Sequence, residues 1–338
     1  MISTEWKKLA PSPLRRAYSR FKRWAKPSLE NGAGSATTLH ASGAAVGDSN
    51  SQYWSSHNVT LHAKFQTMEA SLSDFQWRNA QYYPYLDLMP VAGQDGKVVL
   101  DYGCGPGYDL VGFAHYSKPA RLIGADISPV SLAEARSRVA LHGVEPELHR
   151  IVEGDNRIPL PDATVDYVHS SGVIHHTADP QAVLRELRRV VRPDGSARVM
   201  VYNYESLWLH LYTAYVKMIE EAALHRVQNT VDPFQGLSVR QAFAKLTDGL
   251  DCPISRAYRP DEFCAIAKSA GWKCEFAGAA VSMWEMGLLA KRFDAIRNPQ
   301  LPGEHRDFLV ELEIDANGYA RHRGHFAGVD GCYRLTPV

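Results

Sequence analysis

The chain has 338 residues, of which 45% are hydrophobic and 22% are charged. These are ordinary values for a globular protein, and they exclude a mostly disordered chain. Lys plus Arg and Asp plus Glu both total 37, so the protein has no overall charge that would attract a polyanion, and no nucleic-acid partner is expected.

The cysteine pattern and the hydropathy limit which cellular compartments are expected for the protein. The five cysteines are widely spaced and form no CxxC pair, so neither a disulfide framework nor a metal site is expected. No apolar run reaches the roughly 20 residues of a membrane-spanning helix, and the basic N-terminus lacks the apolar stretch of a signal peptide. We therefore expect a cytoplasmic protein with reduced thiols.

The first 52 residues are predicted to be a basic segment followed by a flexible linker. Leu14, Tyr18 and Phe21 recur at helical spacing among arginines and lysines, which predicts a short amphipathic helix over residues 13–26. That helix could dock on the rest of the chain, remain a solvated arm, or make weak peripheral contact with an anionic membrane surface. Residues 31–52 are rich in Gly, Ala and Ser, which is typical of a linker.

Helical and strand-like patterns follow in a regular order. Residues 53–96 are dense in aromatic side chains and are predicted to form an N-terminal helical cap. From residue 97 to 204, short apolar runs typical of strands covered on both faces alternate with helical patterns, best seen at 131–141 and 180–191. The runs lie at residues 98–100, 121–125, 148–152, 165–168 and 197–201. This alternation predicts an α/β fold with a doubly wound, mostly parallel sheet.

The remaining chain departs from this alternation. Residues 204–228 form a long aromatic-rich helical stretch, and residues 259–270 are predicted to be another helix. We interpret residues 205–260, including Thr247-Asp248-Gly249 and Cys252-Pro253, as a helical insert on the substrate side. Residues 261–338 are expected to contain the end of the sheet and a C-terminal extension.

A glycine-rich turn follows the first predicted strand, with the sequence Asp101-Tyr102-Gly103-Cys104-Gly105-Pro106-Gly107. Glycines at such a turn let the backbone approach a ligand closely. A nicotinamide-binding turn has GxGxxG spacing and does not require the preceding acid, whereas here GxGxG follows an aspartate. The pattern resembles the first motif of class I S-adenosylmethionine-dependent methyltransferases, whose acid and glycines surround the methionine end of the cofactor.

A second acid, Asp126, ends the second predicted strand, where a carboxylate can accept both hydroxyls of a ribose. The same resemblance implies that an acid in the next loop meets the adenine amino group, and Asp155-Asn156 supplies it. Ile127 and Ser171 are further cofactor-binding candidates on the same grounds. S-adenosylmethionine is therefore the expected cofactor.

The stretch from Asp162 through Ser171-Gly172-Val173-Ile174-His175-His176 to Val191-Arg192-Pro193-Asp194-Gly195 resembles the small-molecule branch of this superfamily, similar to methyltransferase type 11. The resemblance covers residues 97–204 well and the flanks poorly. It implies a Rossmann-like, seven-stranded sheet with a helical cap and insert.

Three residues at strand ends are catalytic candidates: His175, His176 and Tyr202. The loop after the fourth strand faces the methyl donor in this fold, so a histidine there could remove a proton from the acceptor. Alternatively, the histidines order the loop and line the cofactor pocket. Cys104 lies within the glycine turn, where its small side chain has a steric role rather than a nucleophilic one.

These features predict methyl transfer by direct displacement to a small-molecule acceptor, because the sulfonium carbon is already activated. O-methylation of a sugar-containing or other secondary metabolite is preferred over N- or C-methylation. Two other classes stay open, a nicotinamide-binding oxidoreductase and a non-catalytic S-adenosylmethionine-binding regulator. RNA methylation is disfavoured because the predicted core is not basic. The oligomeric state is left open.

Overall fold

The computed structural model of the protein describes residues 46–57, 64–152 and 154–338. The helix predicted over residues 13–26 lies outside these residues, as do residues 31–45 of the linker predicted over residues 31–52. The membrane contact suggested for the basic segment therefore stays a prediction. In the described ranges no helix is both long enough and apolar enough to cross a bilayer.

Helices and strands alternate along most of the described chain. The helices are α1 (Val46–Ser56), α2 (Met68–Asn79), α3 (Tyr85–Leu88), α4 (Tyr108–Tyr116), α5 (Pro129–Ala140), α6 (Pro180–Val190), α7 (Ala222–Gln228), α8 (Val239–Thr247), α9 (Pro260–Ser269), α10 (Met283–Gly287), α11 (Arg292–Arg297) and α12 (Gly303–Glu311). The strands are β1 (Tyr82–Tyr83), β2 (Val98–Tyr102), β3 (Arg121–Asp126), β4 (Glu147–Arg150), β5 (Val165–Ser171), β6 (Val191–Tyr202), β7 (Trp272–Ser282), β8 (Glu313–Ile314), β9 (Ala320–His322), β10 (His325–Phe326) and β11 (Asp330–Pro337). A π-helix spans Trp208–Glu221, and 3₁₀ turns span Ile174–His176 and Leu289–Lys291.

The main sheet has eight strands in the order β1-β7-β11-β6-β5-β2-β3-β4. Five of these strands, which lie in the sheet in the order β6-β5-β2-β3-β4, are parallel to one another. Strand β11 lies antiparallel between β6 and β7, and the two-residue β1 adds an edge to β7. The predicted doubly wound α/β fold is confirmed, with the short edge strand added to the seven predicted.

The order of the parallel strands reverses between β2 and β5, which are hydrogen-bonded neighbours. In open α/β sheets, ligands bind at the carboxyl ends of the strands at such a switch point. The crossover helices pack on the sheet through apolar stripes. In α6, for example, Asp179 caps the amide of Ala182, and Val183, Leu184 and Leu187 are fully buried.

The linker boundary predicted at residue 52 is wrong, because residues 46–56 form α1. Polar side chains rather than a large apolar face tie this helix to the rest of the chain. The side-chain amide of Asn50 donates to the backbone carbonyl of His176. The hydroxyl of Ser51 donates to the backbone carbonyl of Ile127, and the hydroxyl of Ser55 donates to that of Ser128. A composition of small polar residues therefore concealed a docked helix.

The predicted C-terminal extension is also corrected. Helices α10 to α12 and a small antiparallel sheet, in the order β10-β9-β8, form an insertion between β7 and β11. Phe308 and Leu309 of this insertion pack with Leu211 of the π-helix. The described residues from 46 onward belong to one compact unit, so the predicted cap, core and insert are regions of that unit.

Candidate active site

The glycine turn joins the end of β2 to α4, and two of its glycines have different surroundings. Gly103 has φ +76°, and a Cβ there would lie 2.1 Å from a side-chain atom of Val173. Gly105 has φ +50°, and a Cβ there would meet no atom within 4 Å. Both values lie in the left-handed region that favours glycine. Gly103 thus permits close packing, whereas Gly105 borders space open to a ligand.

Asp126, at the end of β3, holds this turn in place. One carboxylate oxygen accepts a hydrogen bond from the amide of Gly105, and the other accepts one from the amide of Ser128, both at 2.8 Å. Burial raises the pKa of Asp126, and these amides partly oppose that shift. Each carboxylate oxygen retains a second lone pair, so the predicted bond to ribose hydroxyls remains available.

Asp101, at the carboxyl end of β2, is 2% exposed. Its Oδ2 atom has no hydrogen-bond partner among the described residues. Burial, together with Asp109 and Asp126, raises the pKa of Asp101 well above its usual range. A buried carboxyl with one unpartnered oxygen, next to the open side of the glycine turn, fits a cationic group such as the ammonium of a methionine moiety.

Arg78 on α2 was not predicted as a site residue. Its guanidinium lies 3.6 Å from Asp109 and 4.8 Å from the ring centre of Tyr108, at the start of α4. Burial opposes its charge, but Asp109 and nearby tyrosines raise the pKa of Arg78. Its Nη1 atom is buried without a hydrogen-bond partner in the described chain, so it can receive a carboxylate. No sequence signal distinguished this arginine from a surface one.

His175 lies in the 3₁₀ turn after β5 and is fully buried. Its ring packs between those of His176 and Tyr202, at centroid distances of 4.1 and 3.9 Å. Neither ring nitrogen has a hydrogen-bond partner within the described ranges. Burial lowers the pKa of His175 well below its usual range, and the neighbouring His176 and Arg256 lower it further, so the ring is neutral.

His176 makes the polar contacts that His175 lacks. Its Nδ1 lies 2.6 Å from the carbonyl of Ile254, so we assign the proton to Nδ1, which donates to that oxygen. Its Nε2 then carries the free lone pair and lies 3.6 Å from Oδ2 of Asp248. A histidine nitrogen next to a carboxylate is suited to accept a proton.

Tyr202, at the end of β6, donates its hydroxyl to Oδ1 of Asp248 at 2.9 Å. Burial and Asp248 raise the pKa of Tyr202 well above its usual range, so the phenol keeps its proton. Asp248 is thereby held near His176. It belongs to the Thr247-Asp248-Gly249 segment that the sequence placed on the substrate side.

Helix α1 lies over these groups. Tyr53 donates its hydroxyl to the backbone carbonyl of Asp248, and the Trp54 ring lies 4.8 Å from that of His176. Burial and the neighbouring acids raise the pKa of Tyr53. Aromatic residues from α1 and a carboxylate from the insert therefore meet at the histidine pair.

The other predicted site residues are distributed as follows. The hydroxyl of Ser171 is bonded to that of Tyr85, and the carbonyl of Ile127 accepts a bond from Ser51. Asn156 has φ +52°, and Asp155 is exposed on the loop after β4. The structure thus brings the residues at the ends of β2, β3, β5 and β6 to one edge of the sheet, while the adenine contact of Asp155 stays a prediction.

Comparison with known proteins identifies the domain. Residues 100–199 match the family model of a methyltransferase domain. The chain is 37% identical over 130 residues to an uncharacterized 37.1 kDa protein in transposon TN4556 of Streptomyces fradiae, covering 38% of this chain and 36% of that protein. It is 34% identical over 125 residues to 2-methyl-6-phytyl-1,4-hydroquinone methyltransferase 1 of Oryza sativa subsp. japonica, covering 37% and 36%. It is 26% identical over 213 residues to a ubiquinone biosynthesis O-methyltransferase of Pseudomonas aeruginosa, covering 59% and 90%.

The acid-glycine turn, the acid of β3 and this domain match define a class I S-adenosylmethionine-dependent methyltransferase. Residues 100–199 carry a domain of that class, whose cofactor is S-adenosylmethionine. Both predictions are confirmed. The chain spans 36% of the length of each of the first two relatives, so the similarity to them identifies the shared domain.

Proposed function

We propose that this protein transfers the methyl group of S-adenosylmethionine to a hydroxyl oxygen of a small-molecule acceptor. One observation carries the choice of a hydroxyl: the free Nε2 of His176 lies 3.6 Å from the Asp248 carboxylate. A hydroxyl has to lose a proton during transfer, and this pair can accept one. An amine acceptor that arrives uncharged would not need such a base.

The cofactor would be held by residues along the edge of the sheet. Asp126 would accept the ribose hydroxyls, Asp101 would face the ammonium of the methionine moiety, and Arg78 would receive its carboxylate. When bound, the cofactor supplies an electrophilic methyl carbon next to a positive sulfur. The chain's own task is then to align the acceptor and exclude water.

On the acceptor side, His176 would take the hydroxyl proton at Nε2, and the Asp248 carboxylate would stabilise the imidazolium that forms. Tyr202 is a positioning residue in this scheme, because its hydroxyl orients Asp248. His175 would act through packing, since its buried ring is neutral. Tyr53 and Trp54 of α1 would help to exclude water.

The acceptor expected from the sequence, a sugar-containing or other secondary metabolite, remains a proposal. The names of the rice and Pseudomonas relatives favour a second candidate, a hydroquinone-like phenol. The rings of Trp54, Tyr202 and the histidine pair also suit an aromatic acceptor, because they offer stacking partners. The cytoplasmic location suggested by the cysteine pattern remains a prediction as well.

Methyl transfer from labelled S-adenosylmethionine to a panel of phenols, glycosides and amines tests the proposal. We expect the phenols or glycosides to be methylated on oxygen, and His176→Gln to lower kcat by roughly 10²- to 10⁴-fold with cofactor affinity unchanged. Asp248→Asn should lower kcat in the same direction. Arg185→Gln, at an exposed position of α6, serves as the control.

Two results would contradict the proposal. One is full kcat in a folded His176→Gln variant, which would remove the base. The other is tight cofactor binding without transfer to any member of the panel, which would favour the non-catalytic regulator.

A further inference from the structure

Two of the five cysteines meet in the fold. Cys264 lies on α9 and Cys274 on β7, and their Sγ atoms are 2.9 Å apart. Both residues are partly exposed. The sequence pattern did not pair them, because a helix end and a turn separate them and they form no short motif. The packing of α9 on β7 brings them together.

We propose that Cys264 and Cys274 are a site of reversible oxidation, where the two thiols form an intramolecular disulfide. A disulfide holds its sulfur atoms about 2.05 Å apart. The observed separation is 2.9 Å, so the atoms have to approach by about 0.9 Å to form the bond. The proposal does not depend on methyl transfer or on the identity of the acceptor.

The two thiols also share a hydrogen bond that affects their pKa values. The hydrogen bond between them lowers the pKa of Cys264, and the same bond together with burial raises the pKa of Cys274. The thiolate is the nucleophile in thiol–disulfide exchange, so we take Cys264 as the attacking residue. Its partial exposure gives a small oxidant access to the sulfur.

The reaction balances with a low-molecular-weight disulfide such as glutathione disulfide as the oxidant. The Cys264 thiolate attacks one sulfur of glutathione disulfide and releases one glutathione thiolate, leaving a mixed disulfide. Cys274 then loses its proton to solvent and attacks the Cys264 sulfur, and the second glutathione leaves. The two protein thiols are oxidised by two electrons, and one glutathione disulfide is reduced to two glutathione molecules.

The other cysteines lack such a neighbour. Cys104 and Cys332 are buried, and burial raises the pKa of both thiols well above their usual range. Cys252 is partly exposed, but its thiol bonds to the carbonyl of Ile254 and its pKa is raised to about 12, chiefly by burial. Cys252 is therefore a matched control, since it is comparably exposed and has no cysteine beside it in the described chain.

The experiment treats the full chain with glutathione disulfide and follows intact mass, peptide maps and thermal unfolding. We expect the wild type to lose the mass of two hydrogen atoms and to yield a Cys264–Cys274-linked peptide, which dithiothreitol reverses. The oxidised wild type should unfold at a higher temperature, because the cross-link restricts the unfolded chain. Cys252→Ser should behave like the wild type.

The single variants Cys264→Ser and Cys274→Ser should lack the linked peptide and instead carry one glutathione on the remaining cysteine of the pair. Wild-type protein that accumulates glutathione adducts without the linked peptide would overturn the proposal. So would a loss of two hydrogen atoms that persists in Cys264→Ser, since another pair would then be responsible. If either variant does not fold, the peptide map of the wild type decides alone.

Discussion

Replacing Asp126 tests the link between the glycine turn and cofactor binding. In Asp126→Ala the amides of Gly105 and Ser128 lose their shared acceptor, and the predicted bond to the ribose disappears. A hydrogen bond to a charged group contributes about 1.5–3 kcal/mol. Losing the ribose contact alone should therefore weaken S-adenosylmethionine binding roughly ten- to a hundredfold. Asp126→Asn should lose nearly as much, because its amide group would face a backbone N–H.

Calorimetric titration with S-adenosylmethionine gives the dissociation constant, and urea unfolding without cofactor gives the stability of the turn. Asp162→Ala is a suitable control, because that side chain is 76% exposed and pairs with Arg189. An unchanged dissociation constant in a folded Asp126→Ala protein would refute the ribose role. If the variant were less stable to urea but bound S-adenosylmethionine with unchanged affinity, the role of Asp126 would be limited to stabilising the glycine turn.

The remaining predictions concern Arg78 and the buried acids. Arg78→Met should weaken S-adenosylmethionine binding about ten- to a hundredfold by calorimetry, because it removes the buried Nη1 donor that would bind the methionine carboxylate. Equal affinity would contradict the role of Arg78 as the carboxylate partner. Burial raises the pKa of Asp330 from 3.8 to about 7 and that of Glu285 from 4.5 to about 8. The folded protein therefore holds more protons than the unfolded chain in this window, and stability should fall as pH rises from about 4 to about 8. Asp330→Asn should make urea midpoints less dependent on pH between about pH 5 and about pH 8, and an unaltered pH dependence would contradict the assignment.

The parts of the fold with local signals could be predicted from the sequence. The strand before Asp101 and the glycine turn after it are contiguous, and their chemistry is carried by neighbouring residues. β4 shows the limit of such signals: the apolar run at 148–152 placed the strand slightly late, whereas Glu147–Arg150 pair with β3 and Val152 is 62% exposed. Hydrogen-bond register, rather than hydropathy, sets that boundary.

The rest of the site depends on contacts between distant segments. Arg78 gains its importance from Asp109, and α1 forms because its polar side chains meet carbonyl and hydroxyl groups far along the chain. The pairing of Cys264 with Cys274 likewise follows from helix packing. These partners are far apart in the sequence, so the pattern of residue types in a short segment does not reveal them.

The position of β11 also bears on how the protein is made. Residues 330–337 pair with β6 on one side and β7 on the other, although both neighbours precede them in the chain. During synthesis, β6 and β7 therefore leave the ribosome with unpaired edges and wait for the strand that joins them. Exposed edges of this kind can pair with other chains, so the nascent protein is vulnerable to aggregation during this interval.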